Sequence, residues 1–181
     1  MTRPTTVILA WGNTVRTDDA VGVAVAERLR AAFAGDPAVE VHVRTQLGPE
    51  LAEVLARAGR ALFIDAHVRP DGEAVVLERL QPARGAEVGL NHQVPPEHLL
   101  ALAAWLYGRA PEAHLLTVRA HDTTFGETLS PKTARWVDEA VERATELVNG
   151  TARRVARPAA ERRGPLAACP PVPNANAGNT G

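Results

Sequence analysis

Apolar residues along the chain switch between two spacings, and the switching itself predicts an architecture. "TTVILAWG" (5–12) is a short, nearly continuous apolar run, the pattern of a strand covered on both faces. Val21, Val25, Leu29 and Phe33, flanked by Ala24 and Ala32, then recur at helical spacing. "VEVHVRT" (39–45) alternates with period two and predicts a second strand. "GPELAEVLARAG" (48–59) predicts a helix with Leu51, Val54, Leu55 and Ala58 on one face, Pro49 in its first turn and Gly59 at its end. A buried strand follows in "ALFIDAHV" (61–68), then a Pro and Asp-Gly turn, then a strand in "AVVLERL" (74–80). After a loop to about residue 92, "PPEHLLALAAWLYGRAP" is helical as far as Gly108. Last come a fifth strand, "AHLLTVRAH" (113–121), and one final helix, "SPKTARWVDEAVERATELVNG". Ser130 is its expected N-cap, Pro131 its first residue and Gly150 its end.

Strands alternating with helices predict a parallel α/β sheet with helices on both faces. Beyond Gly150 the period is lost in "TARRVARPAAERRGPLAACPPVPNANAGNTG", rich in Pro, Ala, Asn and Arg. Residues 1–150 therefore read as one domain and 151–181 as a disordered tail that buries too little apolar surface to fold. Composition changes this picture only by exclusion. The 181 residues are 45% hydrophobic with a net charge of −1, enough for a core and too balanced for a nucleic-acid or membrane-surface partner. No run reaches the ~18 apolar residues of a spanning helix. The apolar N-terminal run is short and closed by Gly-Asn, unlike a signal peptide, so a cytoplasmic location is expected. The single cysteine, Cys169, falls in the tail and excludes an internal disulfide or a CxxC metal knuckle.

The chemistry begins in "GNTVRTDDAVG" (12–22), a glycine-containing turn between the first strand and the first helix. Such turns often hold phosphate on the helix N-terminus. This one has neither GxGxxG nor GK[ST], and Asp18 and Asp19 at its mouth would repel a phosphate, so a positive ligand is expected. Helix capping would explain one of the two aspartates. In an open α/β sheet, ligands bind beyond the carboxyl ends of the strands, where the strand order reverses. If that reversal lies between strands one and three, Asp19 and Asp65 share the crevice. Asp65 sits inside "LFIDAHV" among residues that should be buried, and a buried carboxylate needs a cation, a donor or a metal. His92, in the polar loop "GLNHQVPPEHLL", is a candidate third ligand, with His67 and His121 as further candidates. His42, His98 and His114 read as surface or packing residues. Two carboxylates and an imidazole suit nickel, zinc or manganese with open positions. No HExxH and no GxSxG occurs.

Four segments in order resemble one family, the nickel–iron hydrogenase maturation endopeptidases. "VILAWGNTVRTDDAVGVAVAERL" is similar to its opening, "LFIDAHV" to its apolar strand ending in aspartate, "NHQVPPEHLL" to its histidine before a leucine-rich helix, and "GETLSPKTARWVDEAV" to its closing Leu-Ser and last helix. The likeness spans about residues 5 to 149, with Trp11 where a Gly is common and Ala20 for the frequent Gly after the acidic pair. It implies a three-layer α/β/α sandwich on a mostly parallel five-stranded sheet, order 2-1-3-5-4, with strand 4 antiparallel. It implies a metal site of Asp19, Asp65 and His92, with Asp18 as base or as a group that orients the ligands. The implied metal is nickel, carried by the partner, the precursor of a hydrogenase large subunit, whose C-terminal extension would be removed once nickel is inserted. Two other functions fit the same residues: a self-contained zinc or manganese peptidase, and a nickel-binding assembly factor without hydrolytic activity.

Truncation after Gly150 should leave the melting temperature and any activity nearly unchanged, as measured by thermal unfolding of the full and shortened chains. A fall of several degrees would show instead that the tail packs on the domain.

Overall fold

The computed structural model describes residues 5–84 and 94–150; His92 and the 151–181 segment lie outside them. Five strands are present, β1 (Thr6–Trp11), β2 (Val39–Arg44), β3 (Arg60–His67), β4 (Val75–Leu80) and β5 (Glu112–Arg119). The helices are α1 (Val21–Ala32), α2 (Leu51–Arg57), α3 (Pro96–Tyr107), α4 (Pro131–Ala134) and α5 (Val137–Asn149), and a 3-10 turn, Thr17–Ala20, leads into α1. The strands hydrogen-bond in the order β2-β1-β3-β5-β4, with only the β4–β5 pairing antiparallel. This is the expected order and the expected odd strand. The chain runs β1, β2, β3 outward on either side of β1, so the reversal falls between β1 and β3.

Alternation along the central strands splits the core into two layers. Ile8, Ala10, Leu62 and Ile64 face α1 and α5, while Val7, Leu9, Ala61 and Phe63 face α2 and α3. Both sides of β1 and β3 are therefore covered, which is why their sequences read as continuous apolar runs. On α1 the buried stripe of Val21, Val25 and Leu29 is completed by Gly22 and Ala26; Ala24 and Ala32, expected to flank it, are more exposed. The predicted last helix is interrupted at Arg135 and Trp136, giving α4 and α5. Ser130 caps α4 as expected, its Oγ accepting from Thr133 N at 3.3 Å. The interruption separates a first turn tied to the β1 side of the molecule from a helix laid against α1. Among the described residues no helix is long and apolar enough to cross a membrane.

Two glycines let the site end of the sheet close. A Cβ on Gly12, which has φ 153°, would lie 2.1 Å from the carbonyl oxygen of Asp19. A Cβ on Gly22 would lie 3.0 Å from the Ile64 carbonyl and 3.2 Å from that of Trp11, so the first turn of α1 rests directly on β3 and β1. The acidic turn is thereby folded back over the end of its own strand.

Gly12→Ala should destabilise the protein by on the order of 3 kcal/mol, because neither contacting backbone can yield without moving the turn. Urea unfolding of the purified variant measures this; a loss below about 1 kcal/mol would mean that the turn relaxes freely.

Candidate active site

The carboxyl ends of β1, β3 and β5 and the turns after them carry three aspartates and two histidines, each in a different environment. The turn that follows β1 is laced to the loop that follows β5. Thr17 N donates to Gly126 O at 2.9 Å, Gly126 N to Val15 O at 3.1 Å, Asp18 N to Asp122 O at 3.0 Å, and Thr17 Oγ1 to Thr124 O at 2.9 Å. Neither Asp18 nor Asp19 caps α1, whose N-cap position is Ala20 with no side-chain cap bond. The capping alternative for the acidic pair is set aside by that geometry.

Asp18 is fully buried. Its Oδ1 accepts from Ser130 N at 2.7 Å. Its Oδ2 accepts from His121 N, Asp122 N and Ser130 Oγ at 2.8 Å and from Thr133 Oγ1 at 2.7 Å. Burial by itself would raise its pKa, but these bonds, foremost that from Thr133, outweigh burial and bring it down to about 2. A carboxylate with five donors and such a pKa is a poor proton acceptor. Of the two roles expected for Asp18, orientation of its neighbours suits the geometry and that of base does not.

Asp19, the next residue, points elsewhere: its Oδ2 accepts from Asn13 N at 2.8 Å. Asp65, on β3, accepts from Ala66 N at 2.8 Å. Its pKa is raised to about 6, chiefly by burial and further by the negative charge of Asp19, with the Ala66 bond opposing. The two carboxylates thus lie near enough, across the β1–β3 reversal, for the charge of one to act on the other. Trp11, whose ring meets Phe63 edge-on at 6.4 Å, lies on the same sheet face as Asp65 by strand parity.

His67 ends β3. Its Nδ1 accepts from Arg69 N at 3.2 Å, so in the neutral ring Nε2 carries the proton. That buried Nε2 has no partner among the described residues. Its pKa is lowered, first by burial and then by the charges of Arg69, Arg119 and His121, with the Ala74 backbone opposing. His121 follows β5 and is exposed, with Nδ1 3.0 Å from Thr133 Oγ1. Of the histidines expected to play no part, His114 is buried in β5.

Among the described residues no three His, Cys, Asp or Glu side chains gather closely enough to hold a metal ion. The expected ligand set thus has two described members, Asp19 and Asp65, while His92 lies outside the described residues. The chain re-enters the described structure at Val94, which is buried in the α2–α3 layer and donates to Leu47 O at 3.2 Å. Phe63 packs in that same layer, on the strand face from which Asp65 also projects. Sequence reasoning missed Ser130 and Thr133 as donors to Asp18. The only signal was the Ser-Pro helix start, which reads locally as a cap and contains nothing about a carboxylate 112 residues away.

The fold is an α/β/α sandwich with two neighbouring carboxylates, Asp19 and Asp65, at the carboxyl ends of its parallel strands. Several solved structures share that fold. The hydrogenase maturating endopeptidase HybD from E. coli superposes with a TM-score of 0.63 at 21% identity, covering 81% of this chain and 94% of its own. The [NiFe] hydrogenase maturation protease HybD from Thermococcus kodakarensis gives 0.60 at 24% identity, covering 80% and 99%. An endopeptidase from Escherichia coli solved in solution gives 0.62 at 20%, covering 87% and 99%. At these identities the likeness establishes the fold. No protein-family model matches the chain, and no curated protein matches it.

Substitutions at Asp18 and at the half-buried Asp65 should have opposite effects on stability. Asp18→Asn leaves donors of a charge-assisted network without their acceptor and should cost on the order of 3 kcal/mol. Because its folded pKa lies below the unfolded 3.8, the wild-type advantage is full above about pH 4 and is lost as pH falls toward 2. Asp65→Asn removes a half-buried charge repelled by Asp19 and should be at least as stable as wild type at pH 8. That difference should shrink as pH falls through about 6, where folded wild type takes up a proton at Asp65. Urea titrations of both variants at pH 8, 5 and 3 measure each sign.

Proposed function

We propose that the chain is an endopeptidase that removes the C-terminal extension from the precursor of a nickel–iron hydrogenase large subunit after nickel insertion. What supports the reading most is the nearness of Asp19 and Asp65, with Asp19's charge helping to raise Asp65 to about pKa 6. Two converging carboxylates, one of them largely desolvated, are relieved by a bound cation. The shared fold with proteins named as hydrogenase maturation endopeptidases supports the reaction class.

Nickel enters with the substrate in this proposal. Asp19 and Asp65 supply hard oxygen donors, and His92, two residues before the buried Val94, supplies the nitrogen. A nickel ion held by the precursor and met by these side chains would polarise a neighbouring carbonyl. With no thiolate among the three donors, the protein alone holds metal weakly. Weak holding is what a test for nickel in the substrate demands, because a filled site could not report on the precursor. Asp18, through its bonds to the 121–130 segment, keeps the turn carrying Asp19 in register with β3 and β5.

Protein purified without added metal should contain well under one equivalent of any divalent ion, and it should cleave only nickel-loaded precursor; elemental analysis and intact mass of the precursor are the two measurements. Near-stoichiometric zinc with cleavage in the presence or absence of nickel would establish a self-contained zinc peptidase. Partner binding with no new C-terminus would establish an assembly factor. Asp19→Asn, which can still accept from Asn13 N, should stop cleavage while the unfolding midpoint barely changes. His92→Ala should likewise stop cleavage or abolish the preference for nickel-loaded precursor.

A further inference from the structure

The Thr133 hydroxyl has one proton and three neighbours: Asp18 Oδ2 at 2.7 Å, His121 Nδ1 at 3.0 Å and Arg119 O at 3.1 Å. A hydroxyl oxygen cannot sit 2.7 Å from an ionised carboxylate unless its proton lies between them. The proton therefore goes to Asp18, and only lone pairs remain for His121. Nδ1 of His121 must then be the donor, and in a neutral imidazole the other nitrogen, Nε2, is left with the lone pair. Asp18 fixes the backbone of the same residue as well, accepting from His121 N at 2.8 Å.

His121 is exposed at the end of β5, and its Nε2 has no hydrogen-bond partner among the described residues. It lies beside the end of β3, where Ala120 N donates to His67 O at 2.8 Å and the charge of His121 registers at His67. The two imidazoles at this rim hold opposite tautomers. His67 carries its proton on Nε2, and His121 carries its proton on Nδ1.

We propose that Asp18, acting through the Thr133 hydroxyl, holds His121 as the Nδ1–H tautomer and presents its Nε2 lone pair as the proton acceptor of the cleavage reaction, an assignment that rests on the endopeptidase function proposed above. Nε2 takes one proton from a water as the water oxygen bonds to the scissile carbonyl carbon. It returns that proton to the amide nitrogen as the C–N bond breaks, so the enzyme ends as it began. While His121 is an imidazolium, its Nδ1–H still points at Thr133 Oγ1, and the Asp18 charge two hydrogen bonds away stabilises it without taking a proton. Asp18 and Thr133 are positioning residues, and His121 is the catalytic one.

Ring nitrogen shifts of histidine-labelled full-length protein, recorded where the ring is neutral, read the tautomer with no substrate present. Wild type should show His121 as Nδ1–H, Thr133→Val should shift it toward Nε2–H, and Thr133→Ser, which keeps the hydroxyl, should restore the wild-type pattern. Cleavage of nickel-loaded precursor supplies the second readout. His121→Gln should lower kcat by about a hundredfold or more with KM little changed, and imidazole should restore part of the activity of His121→Ala. An Nε2–H ring in wild type and in Thr133→Ser alike, or an undiminished kcat in His121→Gln, would overturn the proposal. If wild type leaves the precursor uncut while the tautomer and its dependence on Thr133 hold, the endopeptidase function falls and His121's catalytic role with it, and the relay stands.

Discussion

A carboxylate with no access to water, Asp18, is the constraint around which the site end of this protein is assembled. Leaving such a charge without partners would cost several kcal/mol, so the fold is acceptable only when the donors arrive together. They come from the end of β5, from the loop behind it and from the first turn of α4, all more than a hundred residues downstream. The same loop is tied to Thr17 and Val15 by backbone bonds. The β1 turn, the 121–130 loop and the start of α4 therefore form one mutually dependent arrangement. The break between α4 and α5 belongs to it, since the first turn answers to Asp18 and the following helix to the α1 side of the core.

Neighbouring acids are driven in opposite directions by this arrangement. Asp18 is brought down to about 2 by its donors, and Asp65 is raised to about 6 by burial and by Asp19. Environments that push chemically identical groups apart are how one site obtains different roles from them. The low-pKa group serves the architecture, and the raised one lies within reach of the charge of Asp19 at the strand ends. Glycine at position 12 lets the acidic turn fold back, since a Cβ there would lie 2.1 Å from the Asp19 carbonyl, and glycine at position 22 eases the close approach of α1 to the Ile64 carbonyl.

Much of this was legible in the residues. Apolar runs in β1 and β3 announced strands covered on both sides, and their two-layer packing bears that out. Asp65 stood out because its neighbours in "LFIDAHV" are buried, and it proves to be a largely desolvated carboxylate. The strand order 2-1-3-5-4 with an antiparallel β4 was implied by resemblance, and the pairing agrees with it. The Asp18–Asp19 pair was visible as an anomaly in a phosphate-like turn, but its two members looked equivalent.

What the sequence determined by itself is what depends on near neighbours: strand and helix periods, the Ser130 cap, the glycine ends of α3 and α5, and the presence of acids at the strand ends. Which acid is buried in a donor network and which acts on Asp65 was decided only in three dimensions. Asp18 and Asp19 are adjacent in the chain and chemically the same, and nothing local separates them. The difference lies in Ser130, Thr133 and the amides of His121 and Asp122, brought to one of them from the loop after β5 and the start of α4. The protonation pattern of His121 follows from the same contact, because a single hydroxyl proton can satisfy only one acceptor.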